Sequence, residues 1–348
     1  MNTFHPLTVK HIDRSTPNSV IVTFDIPSNL KSEFKFIPGQ YITIEKELNG
    51  EKLRRAYSIC TDPTSREVAV GIKRMENGSF SKYANEILQV GDSLLVHPPQ
   101  GRFVYNHKNT GDTIVGFAAG SGITPIMSIL KTVIYKTNNQ FVLVYGNKSV
   151  SEAMFYDELM DLVKKFPDRL TIHFVFSQQE EPNALYGRIE SSTVSTIISE
   201  KSEGTDLEAF YVCGPEAMIN TVSETLEKQG IAKNKIHFEL FSSEPMLETN
   251  EAVEEGACKV TVLVDDEETV FLMDKKQTIL TAALANQVDA PYSCQGGICS
   301  SCVAKVTEGK AVMDKNQILM DDEIEDGLIL TCQAHPITNT ISIDYDDV

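Results

Sequence analysis

Four of the seven cysteines in this 348-residue chain form one spacing pattern, which limits the possible folds more than any other feature. Cys294, Cys299 and Cys302 have the spacing C-x4-C-x2-C, and Cys332 follows further along the chain. This is the ligand spacing of plant-type [2Fe–2S] sites. Two irons need four thiolates in one small volume, which a tight loop and a returning strand can supply. The adjacent Gly296-Gly297 pair lets the loop curl so that amide groups point at the sulfurs.

Two other uses of these cysteines are open. Structural zinc sites usually combine two short C-x2-C pairs, whereas this chain has one triplet and one single cysteine. Disulfides are disfavoured because the cysteine count is odd, the N-terminal residues lack the apolar core of an export signal, and thiols stay reduced in the cytoplasm. The pattern therefore favours an iron–sulfur cluster in a cytoplasmic protein.

The acidic residues are concentrated towards the C-terminus. Residues 1–241 carry 25 Lys+Arg against 28 Asp+Glu, whereas residues 242–348 carry 6 against 21. So acidic a surface argues against nucleic-acid binding, which needs basic contacts to phosphates. It either favours solubility or steers the protein towards a basic protein partner. No apolar run approaches the length of a membrane span, so no membrane association is expected.

The chain divides into regions of different pattern. Residues 1–106 contain short strands separated by turn residues, which predicts a small antiparallel β-barrel. Residues 107–241 alternate apolar strands with amphipathic helices, which predicts an α/β domain with a doubly wound parallel sheet. Residues 242–256 contain five Glu and no Lys or Arg, which predicts an acidic linker. Residues 257–348 combine a predicted hairpin, a short helix, the cysteine loop and a final strand, and form a further α+β domain.

A glycine-rich turn connects the first predicted strand of the parallel sheet, over residues 113–119, to a helix. Its sequence is Gly120-Ser121-Gly122-Ile-Thr124-Pro125. The glycines can adopt positive φ and allow a pyrophosphate to approach the backbone. Thr124 suits the N-cap of the helix and Pro125 its first position. Pro125 stands where the third glycine of the G-x-G-x-x-G motif would be. The alternative to a dinucleotide-binding turn is a turn that binds no ligand.

The motif Arg55-x-Tyr57-Ser58 is the third feature by which this chain resembles a known superfamily. Together with the glycine turn and the cysteine pattern, it resembles the ferredoxin–NADP reductase superfamily, and nearly the whole chain resembles reductases in which such a module precedes a plant-type ferredoxin module. The resemblance implies an FAD-binding barrel, a nicotinamide-binding α/β domain and a β-grasp [2Fe–2S] domain. It further implies that Arg55 contacts the FAD pyrophosphate, Tyr57 stacks on the isoalloxazine, and Ser58 hydrogen-bonds near flavin N5.

The same resemblance assigns further positions. Gly78 and Ser81 match a G-x-x-S that binds FAD phosphates at the start of a short helix, although a plain Asn-Gly turn is the alternative. Cys213 matches a C-G-P motif that places the nicotinamide near the flavin, although a buried core cysteine is the alternative. The residues with a predicted catalytic role are Tyr57, Ser58 and Cys213. The residues predicted to bind FAD or the nicotinamide dinucleotide are Arg55, Tyr57, Ser58, Ile72, Lys73, Gly78, Ser79, Phe80, Ser81, Gly120, Ser121, Gly122, Thr124, Pro125, Ser177, Arg188, Cys213, Gly214, Pro215, Glu239 and Phe241.

The choice of nicotinamide depends on two of these positions. Ser177 follows the strand after which the superfamily reads the adenosine ribose, and Arg188 is expected to lie nearby. A 2′-phosphate needs cations or hydroxyls, so the sequence favours NADPH. NADH stays possible because no arginine directly follows Ser177.

The implied function follows from electron counts. A nicotinamide gives two electrons as a hydride and a [2Fe–2S] cluster takes one, so the flavin must stand between them. The predicted order of electron transfer is NADPH, FAD, the cluster held by the four cysteines, and a partner oxygenase.

Within the superfamily, the cysteine loop and the domain order are similar to those of the reductases of the di-iron ring-1,2-phenylacetyl-CoA epoxidase. Reductases of 3-ketosteroid 9α-hydroxylase share the domain order and are the alternative. A redox-sensing interaction protein would not need both a flavin and a nicotinamide motif.

Overall fold

The computed structural model describes residues 3–106, 111–202, 207–241 and 256–348. The described residues fall into two compact units. One contains residues from 4–53 and 57–241, and the other contains residues 256–348 with Thr3 and residues 54–56. The predicted acidic linker, apart from Gly256, lies outside the described residues.

The N-terminal region forms an antiparallel barrel with one helix. Its elements are β1 (His5–Thr16), β2 (Ser19–Asp25), β3 (Tyr41–Leu48), β4 (Glu51–Ser58), β5 (Val68–Lys73), α1 (Ser79–Glu86) and β6 (Ser93–Val96). The strand order is β4-β3-β6-β1-β2-β5. An isolated bridge between Ile59 and Val70 joins the chain after β4 to β5. The two edge strands are therefore linked, and the barrel core is filled by alternating apolar residues of these strands together with Phe80 of α1.

The next region is a parallel sheet flanked by helices, as the alternating pattern predicts. Its elements are β7 (Thr113–Ala119), α2 (Ile123–Lys136), β8 (Gln140–Asn147), α3 (Tyr156–Lys165), β9 (Leu170–Phe176), β10 (Leu185–Tyr186), α4 (Ser191–Ser202), β11 (Leu207–Gly214), α5 (Glu216–Lys228) and β12 (Ile236–Leu240). All pairings in the order β10-β9-β8-β7-β11-β12 are parallel. The strand order reverses beside β7, and open α/β sheets bind ligands at such a switch point, outside the carboxyl ends of the strands.

Helices cover both faces of this sheet, which explains why its strands are apolar along most of their length. Six of the seven residues of β7 are buried. Ten of the fourteen residues of α2 are also buried, so this helix packs on more than one side. The short turn that connects β7 to α2 is thus held between a buried strand and a buried helix.

The C-terminal unit is a mixed sheet with a helix and a small second hairpin. Its elements are β13 (Ala257–Val264), β14 (Glu267–Asp274), α6 (Ile279–Ala285), β15 (Val303–Glu308), β16 (Ala311–Met313), α7 (Asp321–Glu325), β17 (Leu328–Leu330), β18 (Ala334–Pro336) and β19 (Thr340–Asp344). The main sheet has the order β14-β13-β19-β15-β17, and β16 pairs with β18. This is the α+β arrangement that the sequence predicts.

The turn of the first hairpin shows how local sequence fixes this sheet. Asp265 and Asp266 have φ values of 51° and 62°, which suit the two central residues of a type I′ turn. The carboxylate of Asp346 accepts hydrogen bonds from both their amides, at 3.0 and 2.9 Å. The chain after β19 therefore stabilises the turn between β13 and β14.

Candidate functional site

The cysteine triplet lies on the loop between α6 and β15, and the fourth cysteine follows β17. Because Val303 pairs with Leu330 across these two strands, Cys302 and Cys332 lie at the same end of the strand pair. Cys302 and Cys332 are buried, as is Cys299, and Cys294 is partly exposed.

The glycine pair curls the cysteine loop as the sequence predicts. The amide of Gly296 donates to Sγ of Cys294 at 3.3 Å. Gly297 has a φ of 70°, and a Cβ added there would stand 2.8 Å from the carbonyl oxygen of Lys315. This position accepts only glycine, because both its conformation and the close approach of the neighbouring chain exclude a side chain.

The four thiols are close enough to affect one another's pKa in pairs. Cys294 interacts with Cys299 and with Cys332, and Cys332 interacts with Cys302. The contact with Cys294, followed by burial, raises the pKa of the Cys299 thiol. In the described ranges no three His, Cys, Asp or Glu side chains surround a single-ion position. Four thiols linked in this way match the ligand number of a [2Fe–2S] cluster.

The predicted flavin motif lies on β4. Arg55 is exposed, and its guanidinium donates to the carbonyl oxygen of Arg54 at 2.7 Å. Tyr57 is half-buried, with its ring 5.6 Å from that of Phe80 and tilted by 34°. Ser58 is buried at the end of the strand.

The predicted FAD-phosphate turn precedes α1. Gly78 is the N-cap, and no side chain caps the helix. The hydroxyl of Ser81 accepts from the amide of Met75 at 3.1 Å and donates to the carbonyl oxygen of Gly78 at 3.2 Å. Ser81 therefore stabilises the turn, while backbone amides of the first helical turn, including those of Ser79 and Phe80, are left without a side-chain cap. Unsatisfied amides at a helix N-terminus favour an anion.

The glycine-rich turn differs from the sequence prediction at the helix start. Residues 120–122 form a short 3-10 turn, and α2 begins at Ile123 with Gly122 as its N-cap. Thr124 is therefore inside the helix and not its N-cap, and Pro125 is not its first residue. The Thr124 hydroxyl donates to the carbonyl oxygen of Ser121 at 3.0 Å, so it braces the turn from within the helix.

The two glycines of this turn are required for different reasons. Gly120 has a φ of 56°, which side-chain-bearing residues rarely adopt. Gly122 has an ordinary φ of −60°, but a Cβ there would overlap the carbonyl group of Cys213 and stand 2.8 Å from the amide nitrogen of Gly214. The turn and the end of β11 thus meet backbone to backbone.

The barrel and the parallel sheet place three predicted residues together within one unit. Cys213 on β11 pairs in register with Glu239 on β12. The hydroxyl of Ser58, at the end of β4, donates to a carboxylate oxygen of Glu239 at 3.3 Å. All three are buried, and burial, followed by the Glu239 charge, raises the pKa of the Cys213 thiol. Pro215 is the N-cap of α5, and Phe241 directly follows β12.

The predicted adenosine-reading positions also lie close to one another. The amide of Ser177 donates to the carbonyl oxygen of Asn147 at 2.9 Å, and the amide of Gln178 donates to the carbonyl oxygen of Lys148 at 2.9 Å. Arg188 is exposed and follows β10, which pairs with the end of β9. Lys148 is also exposed and was not predicted. Its position just beyond the carboxyl end of a parallel strand is the signal that could have identified it.

A partly buried cation lies beside the glycine-rich turn. Lys73 ends β5, and its Nζ lies 3.6 Å from the position of a Cβ on Gly120. Burial lowers the pKa of Lys73, Glu152 opposes that shift, and Lys148 adds to it. Two lysines and one glutamate therefore share the electrostatic surroundings of the turn.

Three family models match the chain in the order that the fold shows. The oxidoreductase FAD-binding domain matches residues 6–105, the oxidoreductase NAD-binding domain residues 117–224, and the 2Fe-2S iron-sulfur cluster binding domain residues 262–336. The chain belongs to the ferredoxin–NADP-reductase-type reductase components of oxygenase systems.

Several relatives match along nearly the full length of the chain. A component of the 1,2-phenylacetyl-CoA epoxidase of Escherichia coli K12 is 37% identical over 352 residues, which cover 99% of each chain. The ferredoxin reductase component of the 3-ketosteroid-9-alpha-monooxygenase of Rhodococcus rhodochrous is 33% identical over 97% of this chain and 96% of that protein.

Solved structures show the same fold. Phthalate dioxygenase reductase aligns with a TM-score of 0.62 at 24% identity and covers 98% of each chain. An intact type IV self-sufficient cytochrome P450 monooxygenase aligns with a TM-score of 0.71 at 20% identity over 98% of this chain and 41% of its own. Together with the family models, they confirm the predicted fold class of an antiparallel FAD-binding domain, a parallel-sheet nicotinamide-binding domain and a C-terminal [2Fe–2S] domain.

The protein is an oxidoreductase that uses FAD, NAD(P)H and a [2Fe–2S] cluster to supply electrons to an oxygenase. Within the described ranges, no helix has the length and apolar character needed to cross a membrane.

Proposed function

We propose that this chain takes electrons from NADPH and delivers them to a di-iron phenylacetyl-CoA epoxidase. The observation that carries the reductase mechanism is the convergence of Ser58, Glu239 and Cys213, which joins the predicted flavin motif to the predicted nicotinamide motif. FAD can take two electrons at once from the nicotinamide and release them singly to the cluster. The choice of oxygenase rests on the 37% identity to the Escherichia coli epoxidase component.

The residues at this convergence have separate tasks in the proposal. With FAD bound, Ser58 would lie near flavin N5, and Glu239, which accepts a hydrogen bond from the Ser58 hydroxyl, would hold that side chain in place. Cys213 is buried with its thiol protonated, since its pKa is raised, and it therefore positions the nicotinamide and does not act as a nucleophile. Tyr57 provides an aromatic face for the isoalloxazine.

Charged groups and amides hold the phosphates. Arg55 is exposed on β4, and a guanidinium suits a pyrophosphate. The uncapped start of α1 after Gly78 offers amides to a second anion. Lys73 supplies a partly desolvated ammonium beside the turn at Gly120, where a dinucleotide pyrophosphate would be neutralised.

The cluster ligands in the proposal are Cys294, Cys299, Cys302 and Cys332. Their pairwise contacts and the Gly296 amide that donates to Cys294 support this assignment. Thiolates are the ligating species, so cluster assembly must release the thiol protons.

Preference for NADPH over NADH rests on charge near Ser177. Lys148 and Arg188 are both exposed at the carboxyl edge of the sheet on neighbouring chain segments. Two cations and a hydroxyl suit a 2′-phosphate.

The electron order is tested with a cysteine variant. Cys299→Ser should lose reduction of cytochrome c, a one-electron acceptor, while NADPH still reduces its flavin and a two-electron acceptor. The matched control is Cys258→Ser, because Cys258 is a buried cysteine of the same unit outside the four. Cytochrome c reduction at the wild-type rate in Cys299→Ser would show that the cluster is not the exit.

The acceptor is tested by reconstitution. The reductase is combined with a phenylacetyl-CoA epoxidase core, NADPH and phenylacetyl-CoA, and oxygen consumption is followed. Oxygen use that depends on substrate and on the reductase supports the proposal.

The second candidate acceptor is the oxygenase component of a 3-ketosteroid-9-alpha-monooxygenase, which the 33% identity to the Rhodococcus reductase favours. If the reductase supports faster substrate-dependent oxygen use with the steroid oxygenase component than with the epoxidase, the steroid oxygenase becomes the preferred acceptor.

A further inference from the structure

Three buried groups form a hydrogen-bonded chain behind the cysteine loop. The hydroxyl of Tyr345 donates to Oγ1 of Thr331 at 2.8 Å, and the hydroxyl of Thr331 donates to the carbonyl oxygen of Cys302 at 3.0 Å. Thr331 is 0% exposed and Tyr345 is 6% exposed. Both hydroxyl protons are therefore used, and each has a defined direction towards Cys302.

The strand register makes Thr331 the link between two cysteines. Thr331 follows β17 and Cys302 precedes β15, so they face each other one step beyond the Val303–Leu330 pair. The amide of Thr331 also donates to the Cys302 carbonyl oxygen, at 3.1 Å. One residue thus makes two bonds to the last cysteine of the triplet and is covalently joined to Cys332.

Tyr345 reaches this link from the end of the main sheet. It follows β19 directly, and its amide donates to the carbonyl oxygen of Leu263 at 3.0 Å, which fixes its backbone. Burial raises the pKa of the Tyr345 phenol, the hydrogen bond with Thr331 opposes that shift, and Cys302 and Cys332 add to it. The phenol is therefore neutral at physiological pH and lies close enough to both sulfurs for electrostatic interaction.

We propose that Thr331 and Tyr345 are positioning residues that fix the spacing of Cys302 and Cys332 and raise the reduction potential of the cluster. This inference rests on the proposed assignment of these cysteines as ligands. The hydrogen ends of both O–H dipoles point towards Cys302, so they stabilise an added negative charge there. Loss of either hydroxyl should disfavour the added electron and make the midpoint potential more negative.

The test uses the full-length holoenzyme with FAD and cluster bound. Tyr345→Phe and Thr331→Val each remove one hydroxyl, and Thr331→Ser keeps it. The midpoint potential is measured by a dye-linked optical titration, and the g values of the reduced cluster are measured by electron paramagnetic resonance. Tyr345→Phe and Thr331→Val should lower the potential and shift the g values, whereas Thr331→Ser should restore both to wild-type values.

The control separates a local effect on the cluster from loss of stability. Ile343→Val shortens a buried side chain of the adjacent β19 without touching the hydrogen-bonded chain, so it should lower the melting temperature and leave the potential unchanged. If Thr331→Val assembles no cluster, Tyr345→Phe decides the question alone. An unchanged potential in Tyr345→Phe, or an equal shift in Ile343→Val, overturns the inference.

Iron content distinguishes this failure from failure of the ligand assignment. A Cys332→Ser protein that still holds a wild-type [2Fe–2S] cluster would overturn the ligand set itself. A Tyr345→Phe protein that holds two irons per chain with wild-type potential and g values would overturn only the role of the hydroxyls.

Discussion

Replacing Gly122 with alanine tests whether the turn between β7 and α2 must touch the end of β11. Alanine suits the φ of −60° at this position, so the substitution carries no penalty from backbone conformation. The added methyl group would overlap the Cys213 carbonyl group and stand 2.8 Å from the amide nitrogen of Gly214. Every effect of the variant should therefore come from this collision.

The energetic cost of the added methyl group follows from its distances to the Cys213 and Gly214 main chain. Carbon atoms settle at about 3.5–4.0 Å from their non-bonded neighbours, so the turn and the strand end must separate by roughly 1 Å. The atoms in the way belong to the main chain of a central strand and cannot rotate aside. Overpacking of this kind costs about 1–3 kcal/mol, or a fall in melting temperature of roughly 2–12 °C for a unit of this size. A shift of about 1 Å at a reacting centre can slow the reaction by roughly 100-fold.

The assay is anaerobic stopped-flow reduction of the flavin by NADPH, with the melting temperature followed by flavin fluorescence. Gly146→Ala is the matched control, because Gly146 lies near the end of a neighbouring strand of the same sheet and its added Cβ would first meet the flexible Cδ1 of Ile189, at 3.3 Å. We expect Gly122→Ala to lose about two orders of magnitude in rate and Gly146→Ala to stay near the wild type. Wild-type rates in Gly122→Ala, or equal losses in both, would refute the reasoning.

Three further predictions concern charge. Burial lowers the pKa of Lys73 below 10.5, so the unfolded state binds this proton more tightly. The stability of the apoprotein should therefore rise with pH between the lowered pKa and 10.5, and Lys73→Met should flatten that rise in urea titrations. Lys148→Ala and Arg188→Ala should each raise KM for NADPH about tenfold; an equal rise for NADH would contradict the 2′-phosphate assignment. Raising the salt concentration should slow electron delivery to a basic oxygenase but not to ferricyanide, because the C-terminal region is acidic; equal slowing of both would argue against steering.

The secondary structure of the parallel sheet could be predicted wherever an element has its own periodic pattern. The strand predicted over 113–119 is β7 without change, because a continuous apolar run bounded by turn residues is a strong signal. The predicted start of α2 is wrong. The sequence predicts a side-chain cap at Thr124, whereas a 3-10 turn precedes the helix and the helix begins at Ile123. The two-residue β10 has no sequence signal of its own, because it exists only through pairing with β9.

The site could be predicted only as separate motifs. Ser58 and Glu239 are 181 positions apart, and no local pattern connects them, so their contact emerges only when the barrel and the sheet fold. The link from Tyr345 through Thr331 to Cys302 was missed for the same reason. Lys148 belongs to no motif, but the rule that ligands bind beyond the carboxyl ends of parallel strands could have selected it.

The backbone contact between Gly122 and Cys213 has a consequence for protein engineering. Both sides of that junction are main chain, so the contact itself does not depend on the Cys213 side chain, which packs in the buried core. Small residues at position 213, such as alanine or serine, should therefore leave this backbone contact in place. Variants at this single position would therefore test the proposed role of Cys213 in placing the nicotinamide while the main-chain contact stays constant.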